Sequence, residues 1–522
     1  MQPAGKNVLI LIESIVATVI LSTVALLDFY AVNARELTSG IRLVPFAEGT
    51  LGAVAIFAGC LRLLLPGFAL WRILLATGLA TFVFYSYGEM AAPLKAHLGP
   101  WLPLSWMAIT LAVGVLALIF LRRLSTISIV LALSVAFSAP SLARIVTFLA
   151  SDHPSQSASD EPGASTVGVR ISPNIYWIVL DGYPRQDVLQ KYFGFDNSGF
   201  IQSLTSLGFT VLGKSLSNFP ATIYSISSTL STDYVVRANG DEIEPFALKE
   251  MYPIVRGKSR AVASFKAAGY HYVHFENGYD YLTECDANEP RCVRGNVGLD
   301  ELDTAILSNT PIIDLIVDWD KLKGRISDPF ALGGVEDLTD KLDMIRKTPA
   351  PFFVYAHILA PHPPIRFRSD CSFRPAEPDL KGWSASARPA FVEQLECVNS
   401  QTLTLLQEVT RSDPRALIIL QSDHGTAFNG QFEKAPTDWL DTDLQERFGV
   451  LNALRLPETC RAKAASDLTL IDTFPLVLSC LSGSDFKRHS PRFFVTPYED
   501  SKYFGRMAEY PAGRVKSASD RP

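Results

Sequence analysis

Five apolar runs, each about 20 residues long, take up almost all of the chain before residue 150. A helix of about 20 apolar residues is long enough to cross the roughly 30 Å hydrocarbon core of a membrane. The sequence therefore predicts that residues 1–150 form a bundle of about five transmembrane helices. The runs lie near Val8–Tyr30, Leu43–Leu65, Phe68–Tyr87, Leu102–Leu121 and Ile127–Leu149.

The first run has an alternative interpretation as a signal peptide. Lys6 precedes it, and Val32-Asn33-Ala34 would serve as a cleavage site. The run is long for a signal peptide and four more apolar runs follow it, so a retained helix is favoured.

Charged residues around these runs predict the orientation of the bundle. Loops rich in Lys and Arg stay on the cytoplasmic side of a membrane. One side holds Lys6, Arg62, Arg72, Arg122 and Arg123, whereas the other holds Arg35, Arg42 and Lys95. The N terminus is therefore predicted inside, and five spans place everything beyond residue 150 outside. Glu13, Asp28, Glu48 and Glu89 lie in or beside the spans, where an ionisable group is a functional hypothesis by default.

Six of the seven cysteines follow residue 150: Cys285, Cys292, Cys371, Cys397, Cys460 and Cys480. An even number in an oxidising compartment favours disulfides. Pairing neighbours along the chain is the simplest of the 15 connectivities that six cysteines allow, and reduced core thiols remain an alternative. The seventh, Cys60, lies inside a predicted span and is interpreted as a small apolar residue.

Polar segments divide the chain into predicted domains. Residues 151–170 are rich in Ser and Pro and are predicted to be a flexible linker, and residues 511–522 a disordered tail. Between them, residues 171–510 alternate β-rich runs with helical patterns, which predicts an α/β domain with a largely parallel central sheet flanked by helices. Strand candidates are Ile175–Leu180, Phe209–Leu212, Tyr270–Phe275, Phe352–Ala356, Ala416–Gln421 and Val450–Leu456.

Two functions are disfavoured by the exported part. Its lack of a basic cluster and the net charge of −6 argue against nucleic acid as a partner. Gly208–Ser215 matches the phosphate-binding pattern G-x-x-x-x-G-K-[ST], but a helix precedes it and its middle residues read as a strand. This context argues against nucleotide binding. The oligomeric state is not indicated.

Metal-ligand residues follow two of the apolar strands. Asp181 ends the run Ile175–Leu180, and Asp423-His424 follows the run Ala416–Gln421. In open α/β sheets, ligand sites form beyond the carboxyl ends of strands, so these side chains are expected to meet at one edge. Thr222 stands where a loop turns into a helix; it either caps that helix or presents its hydroxyl to anions at the positive end of the helix dipole.

Together, Asp181, Thr222, Asp423 and His424 resemble the sulfatase-like branch of the alkaline phosphatase superfamily. The resembling blocks are Ile178–Arg185, Asn218–Leu230, His357–Pro364, Gln421–Gly425 and Glu446–Leu454. They look most like bacterial membrane proteins labelled sulfatase-like. Lipoteichoic acid synthases and phosphoethanolamine transferases are better-understood relatives, and they similarly join five transmembrane helices to an exported catalytic domain.

The resemblance implies roles for individual residues. Asp181, Asp423 and His424 would ligate one divalent metal ion, with zinc or manganese expected and magnesium possible. Thr222 would be the nucleophile and contact the same ion, and His362 would lie near the substrate phosphate. His357 is a weaker candidate, with a core histidine as the alternative. A second metal ion is left open.

The implied reaction moves a phospho-alcohol head group, such as phosphoethanolamine or phosphoglycerol, from a phospholipid donor to an envelope glycan or lipid acceptor through phospho-Thr222. Alternatives are a phosphodiesterase or phosphatase with the same residues, and a non-catalytic membrane-anchored binding protein. Sulfatases mature a cysteine or serine within C/S-x-P-x-R into formylglycine, and no such pattern surrounds Thr222. Sulfate-ester hydrolysis is therefore disfavoured. The implied location is the bacterial inner membrane, with the catalytic domain facing the periplasm.

Overall fold

The computed structural model describes residues 4–34, 37, 40–151, 168–239, 242–278, 280–286, 289, 291–295, 301–315, 334–374, 380, 382–496 and 507–515. They belong to two compact units. The helical unit comprises residues 1–157 and 301–329, and the sheet unit comprises residues 158–300 and 330–522.

The helical unit contains apolar helices at all five predicted positions. Its α-helices are Ala4–Asn33, Val44–Leu64, Leu70–Tyr85, Tyr87–Met90, Lys95–Leu98, Leu102–Phe120, Ser125–Ser151 and Glu301–Leu307. Among the described residues, four stretches are long and apolar enough to cross a membrane: Val8–Asn33, Ile41–Leu64, Gly99–Phe120 and Ser125–Ala150. The chain is thus a multi-pass membrane protein by the length and composition of its helices.

The third predicted span is the shortest. Leu70–Tyr85 has 16 residues, and Tyr87–Met90 continues it after a turn at Ser86. At 1.5 Å per residue, the 16 residues of Leu70–Tyr85 rise by about 24 Å, which is shorter than a hydrocarbon core of roughly 30 Å. Four of the five predicted spans are therefore confirmed by length and composition, and the third stays a prediction.

A segment from the second half of the chain belongs to the helical unit, which the sequence did not indicate. The helix Glu301–Leu307 packs Leu302 and Ile306 against Leu26 and Leu43. The uninterrupted domain predicted for residues 171–510 is therefore broken here. The predicted linker, residues 151–170, lies mostly outside the described residues.

The strands of the sheet unit are β1 Ile175–Leu180, β2 Thr210–Val211, β3 Val236–Asn239, β4 Glu242–Pro245, β5 His271–Glu276, β6 Cys292–Arg294, β7 Phe352–Ile358, β8 Leu417–Gln421, β9 Asn452–Arg455, β10 Phe493–Val495 and β11 Ala508–Tyr510. Seven of them form one sheet with the order β2-β9-β8-β1-β7-β5-β6. Among the described strands of this sheet, β9 is antiparallel to its neighbours β2 and β8, and the others run parallel. All six predicted strands are confirmed, and the α/β fold class with them.

Helices cover both faces of this sheet and bury a core on each side. The helix Arg388–Ser412 lays Phe391, Leu395 and Val398 on one core, the apolar face that its three- and four-residue spacing predicts. The α-helices of the unit are Gln186–Phe193, Ser198–Ser206, Thr222–Ser231, Leu248–Val255, Arg260–Ala267, Asp280–Thr283, Val335–Arg346, Arg388–Ser412, Asp441–Phe448, Glu458–Arg461, Thr473–Ser482 and Ala512–Val515.

Two sequence predictions are corrected in this unit. Disulfides join Cys285 to Cys292 and Cys371 to Cys397, but Cys460 and Cys480 are buried free thiols, so the third neighbour pair is wrong. The predicted disordered tail is wrong for residues 511–515, because Ala512–Val515 is helical and Val515 packs into a small core. Residues 516–522 lie outside the described residues.

Candidate metal-dependent active site

Asp181 stands at the carboxyl end of β1, the central strand of the sheet. Its main chain is held against β7: the Asp181 N–H donates to the Ile358 carbonyl (2.9 Å), and the Asp181 carbonyl accepts from the His362 N–H (3.0 Å). The next residue, Gly182, has a φ of +69°. A side chain there would be strained, and its Cβ would lie 3.1 Å from the Trp383 ring. Any residue other than glycine at position 182 would displace the Trp383 ring.

Asp423 and His424 leave β8 at the same sheet edge. The Gly182 N–H donates to Asp423 Oδ1 (3.2 Å), so the two strand ends are directly bonded. His424 Nδ1–H donates to the Gly425 carbonyl (3.0 Å), which leaves the lone pair of Nε2 for the site. A Cβ at Gly425 would overlap the Glu446 carbonyl oxygen, so the glycine of the Asp-His-Gly sequence is a packing requirement.

Thr222 is the first residue of the helix Thr222–Ser231, and Ala221 is its N-cap. The capping alternative is thereby excluded. The Thr222 hydroxyl instead lies 3.1 Å from His424 Nε2 and 3.5 Å from Asp181 Oδ2. The Ser225 N–H donates to the Ala221 carbonyl and so begins the hydrogen-bond ladder of the helix. N–H groups at the start of a helix precede this ladder and point out of the helix end. The hydroxyl and these donors together form a setting suited to an anion.

His357 belongs to the same cluster, although the sequence ranked it low. It lies in β7 beside β1, fully buried. Its Nε2 is 3.4 Å from Asp181 Oδ2 and 4.0 Å from Asp423 Oδ2. Asp181, His357 and Asp423 therefore form one group able to hold a metal ion, and Asp181, His362 and His424 form another that shares Asp181.

His362 occupies the side of the cluster that faces Trp383. Its Nδ1–H donates to the Pro363 carbonyl (2.5 Å), so Nε2 is the nitrogen left for chemistry. The ring meets Trp383 edge to face with centroids 4.7 Å apart, and it lies 5.9 Å from the His424 ring. Burial lowers the pKa of His362, which favours the neutral imidazole at neutral pH.

The electrostatics of the cluster fit a bound cation. Burial, followed by the charge of Asp181, raises the pKa of Asp423 to about 7. Burial also raises the pKa of Asp181. In the described part of the chain, Asp181 Oδ1 and Asp423 Oδ2 are buried without a hydrogen-bond donor. Two buried carboxylates with open lone pairs and a neutral imidazole are the donor set that a divalent cation satisfies.

These pKa shifts predict how metal affinity depends on pH. Asp423 is protonated in the metal-free protein below about pH 7, so a cation must displace that proton to bind. Burial holds the pKa of His424 well below its usual value, so His424 adds no competing proton. Zinc affinity is expected to fall by about tenfold per pH unit below 7, because one proton is released per ion. Zinc titrations at pH 5.5, 6.5 and 7.5 test this, and a flat affinity would contradict it.

Arg447 is a site residue to which the sequence assigned no role. It is fully buried; its Nε donates to the Pro220 carbonyl and its Nη1 to the Gly425 carbonyl, both at 2.6 Å. Arg447 thus ties the loop before Thr222 to the loop after His424. Burial raises the pKa of Asp181, and the positive charge of Arg447 offsets part of that rise. The only sequence signal was its place in the Glu446–Leu454 block.

All predicted site residues therefore meet at one sheet edge, in a domain attached to apolar helices. This arrangement defines a membrane-anchored α/β enzyme with a buried Asp/His centre. Residues 173–482 match the sequence model of the family described as Sulfatase, well over half of the chain. The chain belongs to the sulfatase family, and it is an enzyme of the class that acts on esters. The individual roles of its site residues stay predictions.

Solved structures give weaker likenesses. The C-terminal periplasmic domain of EptC from Escherichia coli is 12% identical with a TM-score of 0.42, covering 67% of this chain and 98% of that one. The integral membrane lipooligosaccharide phosphoethanolamine transferase A from Neisseria meningitidis is 14% identical with a TM-score of 0.40, covering 91% and 96%. The lipoteichoic acid synthase LtaP from Listeria monocytogenes is 11% identical with a TM-score of 0.40, covering 66% and 83%. Among curated proteins, none matches this chain significantly.

Proposed function

We propose that this chain is a metal-dependent phosphotransferase that moves a phospho-alcohol head group, of the phosphoethanolamine or phosphoglycerol type, from a phospholipid to an envelope glycan or lipid. The observation that carries the proposal is the Thr222 hydroxyl at a helix N terminus, 3.1 Å from His424 Nε2. Attachment to membrane-crossing helices supports a lipid donor. The proposed location is the bacterial inner membrane, with the sheet unit on the periplasmic side.

We assign one divalent ion to Asp181, Thr222, Asp423 and His424. Zinc or manganese is favoured over magnesium because one donor is an imidazole nitrogen. When bound, such an ion lowers the pKa of a nearby hydroxyl and offsets the negative charge of a phosphoryl group. The open oxygens of the two buried carboxylates support this assignment.

The reaction has two displacement steps at phosphorus. In the first step, the Thr222 oxygen forms a bond to phosphorus, and the bond from phosphorus to the glycerol oxygen of the lipid breaks. The proton of the Thr222 hydroxyl leaves with diacylglycerol, and the head group stays on phospho-Thr222. In the second step, an acceptor hydroxyl attacks the same phosphorus and the bond from phosphorus to the Thr222 oxygen breaks. The acceptor's proton restores the Thr222 hydroxyl.

His362 and the helix N terminus have complementary parts in these steps. In the first step, the neutral His362 Nε2 takes the Thr222 proton and gives it to the leaving glycerol oxygen. In the second step, the same nitrogen takes the proton of the acceptor hydroxyl and returns it to the Thr222 oxygen. Its lowered pKa suits the base. The N–H group of Ile223, in the first turn of the helix, donates to a phosphoryl oxygen.

Transfer is favoured over hydrolysis by the apolar wall beside the centre. Trp383 packs on Phe428 with centroids 5.0 Å apart and on His362, so one side of the site excludes water. The phosphodiesterase alternative uses the same residues with water as acceptor. The proposed metal ligands and the Thr222 hydroxyl lie together, which argues against a non-catalytic membrane-anchored binding protein. Binding alone would not require a hydroxyl at this position.

The test is diacylglycerol release by the full-length, zinc-loaded protein from phosphatidylethanolamine and phosphatidylglycerol in mixed micelles. Diacylglycerol is expected with at least one lipid, together with a head-group adduct on the protein. An aryl sulfate is expected to remain intact, because no formylglycine pattern surrounds Thr222. Sulfate release without diacylglycerol would overturn the proposal. Free head group in the absence of any acceptor would favour the phosphodiesterase.

A further inference from the structure

A groove of about 170 Å³ runs between the first and last long helices of the helical unit. Its walls come from Ala4–Asn33 and Ser125–Ser151. The lining residues are Ile20, Thr23, Val24, Leu27, Val135, Ser138 and Leu142. From Ile20 to Asp28, just beyond the lining, the helix rises by about 12 Å, so the groove has the length of part of an acyl chain.

The polar atoms in the groove are satisfied by their own helices. The Thr23 hydroxyl donates to the Val19 carbonyl (2.8 Å), and the Ser138 hydroxyl donates to the Ser134 carbonyl (3.0 Å). The groove therefore offers carbon surface and no unmet hydrogen bond to its occupant. Leu142 is 47% exposed, so the groove is open along its side to lipid.

A charged pair lies just beyond one end of the groove lining. The Ser141 hydroxyl donates to Asp28 Oδ1 (2.7 Å), and Arg144 Nη1 lies 3.9 Å from the same oxygen. The side chains of Arg144 and Asp28 are 60% and 42% exposed. A guanidinium has five N–H donors, so this long contact leaves donors for a second anion, and Asp28 Oδ2 is left for a second cation.

The charged pair and the groove are arranged like the head group and an acyl chain of a lipid. Ala17 and Ile127, early in the two helices, belong to one apolar cluster, and Asp28 and Ser141, late in the two helices, share a hydrogen bond, so the two helices run parallel. The charged pair lies towards the carboxyl ends of both helices, and the apolar groove lies towards their middles. A head group at the pair would thus stand nearer the membrane surface than an acyl chain in the groove.

We infer that this groove binds one zwitterionic glycerophospholipid, with its phosphate on Arg144, its ammonium on Asp28 and one acyl chain along the groove. Charge complementarity selects this occupant, because a cation and an anion 3.9 Å apart match a head group that carries both charges. An anionic lipid would place its phosphate near Asp28 without a compensating ammonium. This site goes beyond the proposed function, because it lies in the helical unit and is detected by binding without turnover.

The experiment is native mass spectrometry of the delipidated full-length protein with chelator present, titrated with phosphatidylethanolamine or phosphatidylglycerol of identical acyl chains. One phosphatidylethanolamine is expected to bind more tightly than phosphatidylglycerol. Leu142→Trp fills the groove and Arg144→Gln removes the cation, and each is expected to weaken binding about tenfold. Ile129→Trp is the matched control, because Ile129 is 58% exposed on the same helix and does not line the groove.

Each of these binding measurements tests one part of the proposed lipid site. Equal lipid retention by Leu142→Trp and Ile129→Trp would overturn the groove as the site. Equal or tighter binding of phosphatidylglycerol would overturn the zwitterionic assignment. Arg144→Gln changes an exposed side chain and keeps the helix packing, so it remains informative if the tryptophan variant does not fold. The result is independent of the catalytic proposal, because the chelator prevents turnover during the lipid titration.

Discussion

Thr222→Ala is expected to lower head-group release by at least about a thousandfold, because the proposed mechanism uses the Thr222 hydroxyl as its nucleophile. The variant should fold, since Thr222 does not cap its helix and its hydroxyl contacts only the reactive cluster, at His424 and Asp181. Diacylglycerol release and the intact mass of the protein after exposure to phospholipid measure the effect. A mass increase is expected in the wild type and absent in the variant.

Thr229→Ala provides the matched control for this substitution. Thr229 is buried in the same helix, and its hydroxyl donates to the Ser225 carbonyl (2.9 Å), away from the reactive cluster. Its loss is expected to cost about 1 kcal/mol of stability and to leave turnover unchanged. Thr222→Ser retains a hydroxyl and should retain part of the activity. More than a tenth of wild-type turnover in Thr222→Ala would remove the covalent mechanism.

Asp423→Asn is expected to abolish turnover and, at the same time, to stabilise the metal-free protein at pH 8. Asp423 and Asp181 are both buried, and the folded-state pKa of Asp423 is raised to about 7. Because the pKa of this carboxyl is raised in the folded state, the free energy of unfolding falls as the pH rises through that pKa. At pH 8 Asp423 is charged, and its charge destabilises the folded protein to the full extent. Asparagine removes that charge, which is worth on the order of 2–4 kcal/mol.

Thermal melting of the full-length protein at pH 8, with chelator and with zinc, measures this effect. Chelator should abolish activity in the wild type, and zinc should restore it and raise the Tm. Zinc should do neither in Asp423→Asn. Asp467→Asn is the control, because Asp467 is largely exposed and pairs with Arg488 at the surface. Identical melting of metal-free wild type and Asp423→Asn would mean that the carboxylates do not oppose folding.

The sequence predicted the sheet well for a physical reason. Parallel strands buried on both faces read as continuous apolar runs, and β1, β7 and β8 are fully buried runs of this kind. The packing of the helix Glu301–Leu307 in the helical unit was not predicted, because its partners lie some 250 residues earlier in the chain. No pattern within the helix itself indicates those partners. The free thiols of Cys460 and Cys480 show the same limit, since adjacency along the chain does not determine bonding.

The site was predictable where local sequence determines position. Asp181 and Asp423 follow apolar strands, so their place at the sheet edge could be inferred. His357 was underrated because it lies within a strand, where a buried histidine is more often a core residue. The role of Arg447 depends on two carbonyls, those of Pro220 and Gly425, that come together only in the folded chain. Long-range contacts of this kind leave no signature in one sequence.

Because neighbouring central strands deliver Asp181, His357 and Asp423, the width of the reactive centre is set by the spacing of β-strands, about 4.8 Å. That spacing is a property of backbone hydrogen bonding and is insensitive to most substitutions. The wall beside the centre, by contrast, includes Trp383, which lies outside the strands. Substitutions in this wall are therefore expected to change which ester is accepted and to leave the centre carried by the strands in place.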